Sequence, residues 1–333
     1  MHSALLIGMR TIEDGPIAPP YTPANDVILR YAYTGSAWQA PTVRSFPRLR
    51  STALSPDGQV LLAASDDGID QLDSVTFIST GSSAKPVETN EYIRTLAFTN
   101  DGNVVVATGY KNGSGSTRLY LYSMRDASFV YPRLLGSGQF GVNLFYYAQL
   151  GVSGDGSVAL LGEPGSGGGR PLTQYQAATG KWVDSATRYN YYAGNATTNG
   201  WAPALNERGT RSVVSAAVAF GNDSILRSLD SDLEPSGALM NASEGVLLSA
   251  DGNRAYVLER IWGTPNVCSI RAFDLTVPPA QATSTYSEIT TGGFPIARSC
   301  LWAVNSDPIG ILSPDGRTMF IAGAEGVSVI PLP

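Results

Sequence analysis

One short turn recurs six times along this chain. It reads Ser55-Pro56-Asp57-Gly58, Thr99-Asn100-Asp101-Gly102, Ser153-Gly154-Asp155-Gly156, Asn206-Glu207-Arg208-Gly209, Ser249-Ala250-Asp251-Gly252 and Ser313-Pro314-Asp315-Gly316. The closing glycines fall 44, 54, 53, 43 and 64 residues apart. Asp-Gly between apolar runs is a hairpin signal, because glycine takes positive φ without steric cost. The aspartate can also hydrogen-bond its own backbone two residues on. The runs after the turns, such as Val60-Leu61-Leu62-Ala63-Ala64, Val104-Val105-Val106-Ala107 and Ala255-Tyr256-Val257-Leu258, are short and apolar on both faces. That pattern predicts strands packed between neighbouring sheets. The strands that follow alternate, as in Arg118-Leu119-Tyr120-Leu121-Tyr122 and Ser269-Ile270-Arg271-Ala272-Phe273-Asp274. No stretch of helical length carries a 3.6-residue apolar period.

The chain is therefore expected to be all-β, and a repeat of about 40–50 residues is the length of a four-stranded β-propeller blade. Composition agrees: 36 Gly and 21 Pro supply turns, and 43% hydrophobic residues supply a core. Six turn-linked hairpins are visible. Ahead of them, Ala4–Arg10, Val27–Gly35 and Trp38–Val43 read as strands of one more blade. The expectation is a single domain over residues 1–333, with seven four-stranded blades and six as the alternative. The ring would close by pairing of the N- and C-terminal strands, which removes an open edge. Residues 1–3 read as a remnant ahead of the domain.

The turn with its flanks resembles the YVTN-type β-propeller repeat, a seven-bladed relative of the WD40 and quinoprotein propellers. Leu312-Ser313-Pro314-Asp315-Gly316-Arg317-Thr318-Met319-Phe320-Ile321-Ala322 followed by Val327-Ser328-Val329-Ile330 is similar to it, as are Leu54-Ser55-Pro56-Asp57-Gly58 and Leu248-Ser249-Ala250-Asp251-Gly252. The fourth turn, Asn206–Gly209, departs from the pattern. The resemblance implies architecture and carries no functional residue.

Several chemistries are disfavoured. The only histidine is His2, so a Ser-His-Asp or Cys-His catalytic set has no internal base. Zinc is disfavoured on the same ground. The glycine-rich segment Gly162–Pro171 has no Gly-Lys-Ser/Thr ending and no following helix, and reads as a loop rather than a phosphate cradle. A net charge of −6 without a basic segment argues against nucleic acid. No apolar run reaches the roughly 18 residues of a membrane span. No cofactor is expected. Calcium is the exception to consider, at Asp66-Asp67-Gly68-Ile69-Asp70 or Asp230-Ser231-Asp232-Leu233-Glu234, although solvated turns explain both. A carboxylate pair for hydrolysis could come from Glu163, Glu244, Glu259 and Asp307.

The positive feature is a set of aromatic, arginine and acidic residues on the connections that lead into the blades or bridge their second and third strands. The candidates for a ligand-binding face are Arg50, Arg94, Tyr147, Tyr189, Tyr191, Tyr192, Trp201, Glu244, Trp262 and Trp302. These types are enriched at recognition surfaces, while packing between blades is the competing role for any single one. Cys268 and Cys300 are candidates for a disulfide closing a loop of about 30 residues, worth about 3.5 kcal/mol; two buried thiols are the alternative. Few Lys against many Arg points to a GC-rich bacterial genome. The expected function is an extracellular, periplasmic or cell-surface recognition module for a protein or glycan, alone or within a larger surface protein. The alternative is a histidine-independent hydrolase or lyase using carboxylates or calcium.

Overall fold

The structure is a computed structural model, and it describes residues 3–9, 26–34, 37–65, 67–84, 91–101, 103–110, 118–123, 130–137, 149–162, 173–179, 181–184, 203–217, 224–232, 235–241, 245–260, 268–281, 284–289, 294–296, 310–313, 315–323 and 326–332. These residues form seven antiparallel sheets in chain order. The first holds β1 (Ser3–Met9), β2 (Val27–Tyr33) and β3 (Thr42–Ser45). The second holds β4 (Ser51–Leu54), β5 (Val60–Ser65), β6 (Gly68–Asp73) and β7 (Ser79–Ala84). The third holds β8 (Glu91–Phe98), β9 (Asn103–Tyr110), β10 (Arg118–Ser123) and β11 (Val130–Ser137). The fourth holds β12 (Gln149–Val152), β13 (Val158–Gly162), β14 (Thr173–Gln176) and β15 (Lys181–Asp184). The fifth holds β16 (Ala204–Leu205), β17 (Arg211–Ala217), β18 (Ser224–Asp230) and β19 (Pro235–Asn241). The sixth holds β20 (Gly245–Leu248), β21 (Arg254–Arg260), β22 (Cys268–Asp274), β23 (Ser287–Glu288) and β24 (Phe294–Ile296). The seventh holds β25 (Gly310–Leu312), β26 (Thr318–Gly323) and β27 (Gly326–Pro331).

Five of the sheets reach four strands or more, and the first and last have three. In the sixth, the outer strand is split: β24 pairs with Cys268–Ile270 and β23 with Phe273–Asp274 of β22. Among the described residues there is no helix, hence none long and apolar enough to cross a membrane.

Four of the six turns work by one mechanism. Ser55, Ser153, Ser249 and Ser313 each accept a hydrogen bond on Oγ from the amide five residues on, at 2.9–3.0 Å. The same hydroxyls donate to Asp57, Asp155, Asp251 and Asp315. Each of these aspartates in turn accepts the amide two residues further, at 2.8–3.1 Å. The glycine then closes the turn at positive φ, +73° at Gly58 and +68° at Gly316, where a side chain would be strained. The fourth turn departs in sequence but not in shape. Asn206 replaces the serine, its Oδ1 accepting the Arg211 amide at 3.0 Å while Nδ2 donates to Thr210 Oγ1, and Gly209 sits at φ +64°.

The contacts divide the chain into two compact units: residues 1–98 with 102–141, and residues 99–101 with 142–333. Each has a second strand buried on both faces, β5 in the first unit and β21 in the second, as its unbroken apolar run requires. In the first unit, Leu61 and Ala63 of β5 pack with Ile28, Phe46, Leu49, Leu72 and Phe77. Leu62 and Ala64, on the other face, pack with Ile93, Leu96, Phe98, Val104 and Val106. In the second unit, Ala255 and Val257 of β21 meet Val213, Leu226 and Leu239, while Tyr256 and Leu258 meet Met319 and Ile321. Each such leucine contributes about 2–3 kcal/mol by burial.

Candidate functional site

In the second unit the strands that lead into the turns, β12, β16, β20 and β25, lie side by side. Their close approach depends on small residues. A Cβ on Gly151 would collide with the Pro203 carbonyl oxygen, and one on Gly310 would come within 3.3 Å of Leu247 Cδ1. Successive turns are also hydrogen-bonded to one another. The Asn100 amide donates to the Gly156 carbonyl at 2.9 Å, Asp155 N–H to Glu207 O at 2.8 Å, and Glu207 N–H to Ala250 O at 2.8 Å. Cross-links between sheets add to this ladder: Tyr175 Oη donates to Asp101 Oδ2 at 2.9 Å, and Arg211 Nη1 donates to the carbonyls of Gly252 and Leu275 at 2.8 Å.

Across these four strands runs an open groove of about 540 Å³. Its walls come from Leu150, Val152, Leu205, Leu248, Ile311 and Leu312, and its floor from Gly151 and Gly310. Val152 is 37% and Ile311 45% exposed, so these apolar side chains face solvent. Among the described residues the only charged one on the lining is Glu207, in the fourth turn. Its carboxylate Oε2 lies where a Cβ of Gly154 would be, and no other described residue bonds to it.

The other turn carboxylates are committed to structure. The Ser249 hydroxyl holds Asp251 below the usual carboxylate range, with the Asn253 amide and Arg254 helping against burial. Asp57 and Asp315 are held low by the hydroxyls of Ser55 and Ser313 and then by the amides of Gln59 and Arg317. At Asp155 burial opposes ionisation, and the bonds from Ser157 and Ser153 together with Arg208 outweigh it. Asp73 and Asp274 are lowered in the same way by Thr76 and Thr276. A carboxylate already accepting two or three hydrogen bonds is a turn staple and a poor general acid.

Most of the sequence-selected face, Tyr147, Tyr189, Tyr191, Tyr192, Trp201, Glu244, Trp262 and Trp302, lies outside the described residues, as do Cys300, the Gly-rich loop, Glu163 and Asp307. Arg50 precedes β4, its amide donating to Ala64 O at 2.8 Å. Arg94 is in β8 on the adjacent strand, at a register shift between Ile93 and Thr95, so it stands on a bulge. Cys268 begins β22, opposite Ile296 and Arg260, and Glu259 lies opposite Ser269. In the two acidic loops, Asp230 accepts the Asp232 amide and Asp67 faces Arg48 at 4.0 Å. Among the described residues no three His, Cys, Asp or Glu are grouped for a metal. Two features escaped the sequence reading. One is the groove, at the turn end of its strands. The other is a tilted Tyr33–Trp38 ring pair, centroids 5.0 Å apart, across the β2–β3 connection.

Seven meandering sheets with tightly bonded turns match known architectures along nearly the whole chain. The β-propeller domain of Cps50 (Swd1) from Myceliophteria thermophila aligns over 93% of this chain and 91% of its own, at TM-score 0.59 and 12% identity. The chain is a β-propeller. Hydrazine synthase of Kuenenia stuttgartiensis is similar at TM-score 0.59 and 13% identity, covering 92% of this chain and 89% of that one. A protein of unknown function from Desulfotomaculum acetoxidans reaches TM-score 0.61 and 14% identity with the same coverages. No family model matches the sequence, and no curated relative does. At these identities the likeness speaks for the propeller fold alone, and fold does not determine function.

Proposed function

We propose that this propeller is a recognition module that binds a segment of a partner protein. The observation that carries the reading is the open apolar groove across four neighbouring leading strands, beside turns whose aspartates are spent on folding. Exposed apolar surface inside a concave site is what a binding surface offers. A displayed peptide library panned on the intact chain tests it. Sequences enriched by the wild type and lost on Ile311→Asp support the reading. Failure to enrich any sequence overturns it.

We propose further that the chain forms one ring of seven blades over residues 1–333, closed through its terminal strands, and works outside the cytoplasm, alone or in a larger surface protein. It needs no cofactor. A second contact zone, for protein or glycan, is the loop-rich end with Arg50, Arg94, Tyr147, Tyr189, Tyr191, Tyr192, Trp201, Glu244, Trp262 and Trp302. Alanine at Tyr191, Trp201 and Trp262 should weaken a ligand of that zone; unchanged affinity removes it from consideration.

A further inference from the structure

The second position of the six turns holds Pro56, Asn100, Gly154, Glu207, Ala250 and Pro314. Only the fourth is ionisable, and the turn does not use it. Asn206 and Thr210 supply the side-chain bonds of that turn, and Glu207 joins the ladder through its backbone alone. The neighbouring Gly154 leaves room for the carboxylate against the groove wall. Arg208 is exposed and contributes to holding Asp155 low; it is not on the groove lining. Among the described residues, this carboxylate beside an apolar trough thus stands without a cation, on a chain of net charge −6.

We infer that the groove takes an extended segment of a partner protein in which a lysine or arginine is flanked by apolar residues, with the cation on Glu207. This deepens the recognition reading and rests on it. The aliphatic stem of such a residue covers apolar surface while its head stays at the wet end, so Val152, Leu205 and Ile311 suit the stem and its neighbours. The protein's negative charge speeds encounter with a basic partner, and the effect falls with salt.

The experiment uses the full chain and three labelled pentapeptides, acetyl-Leu-Ala-X-Leu-Val-amide, where X is lysine, norleucine or glutamate, read by fluorescence anisotropy at low and high salt. Lysine should bind about fivefold more tightly than norleucine, the scale of a partly exposed ion pair, and glutamate more weakly than either. In Glu207→Gln, which removes no hydrogen bond of the fold, lysine and norleucine should become equal. In Val152→Asp the norleucine peptide should lose binding as well. Equal lysine and norleucine affinities in the wild type overturn the role of Glu207 while leaving an apolar recognition groove. A lysine preference that survives in Glu207→Gln places the cation elsewhere and overturns it too. No binding of any of the three overturns the inferred ligand class, and the library panning then decides the recognition reading separately.

Discussion

Alanine substitutions at two turn glycines separate what the turn needs for itself from what the neighbouring sheet imposes. Gly316 and Gly156 have nearly the same backbone, φ +68° and +70°. A Cβ on Gly316 meets nothing within 4 Å, whereas one on Gly156 falls 2.8 Å from the Asn100 amide nitrogen. Gly316→Ala should therefore cost only the left-handed conformation, about 1–2 kcal/mol. Gly156→Ala pays the same and must also push Asn100 away. That movement breaks the Asn100 N–H to Gly156 O bond of 2.9 Å, worth about 1 kcal/mol, and overpacks a backbone contact at about 1 kcal/mol more. The expected gap between the variants is about 2 kcal/mol. Urea unfolding at neutral pH, with both variants fitted to a common slope, measures it. A gap under about 0.5 kcal/mol would refute the turn-to-turn ladder as a source of stability.

Other consequences can be checked with the same protein. Asp57, Asp73, Asp155, Asp251, Asp274 and Asp315 have carboxyls held low in the fold. Their contribution is complete above the unfolded value of about 3.9 and is lost as pH falls through the lowered folded values. Denaturation midpoints should hold from pH 7 to about 5 and fall steeply below 4, and Asp251→Asn should flatten that slope; an unchanged slope would count against these bonds. Arg48 sits at φ +60° with only a 4.0 Å exposed ion pair to Asp67, so Arg48→Gly should stabilise by about 0.5–1 kcal/mol. A loss of stability would show that the arginine does more. Calcium at millimolar concentration should leave the thermal midpoint where EDTA leaves it; a clear rise would locate a cation site in the acidic loops.

Much of the fold was legible because its determinants are local. Ser or Thr, Asp and Gly at fixed offsets dictate the turn, and runs such as Val60–Ala64 announce burial on both faces. Asn206 was harder to read, because an amide performing the serine's task looks like a broken motif until the hydrogen bonds are seen. The split outer strand of the sixth sheet depends on which residues of β22 remain free to pair, and no local pattern encodes that. The groove was hidden for a different reason. Val152 and Ile311 are of the same residue types that fill the core, and only their place on the leading strands leaves them uncovered. Glu207 could have been found by aligning the turns and asking which position had become acidic without a structural need.

The central claim is that the groove receives the lysine- or arginine-bearing partner segment. Methyl-labelled protein titrated with the lysine-centred peptide tests this most directly. The account predicts shifts concentrated at the methyl groups of Val152, Leu205, Leu248 and Ile311, and largely absent in Val152→Asp. Saturable binding that leaves those methyls unmoved would contradict it.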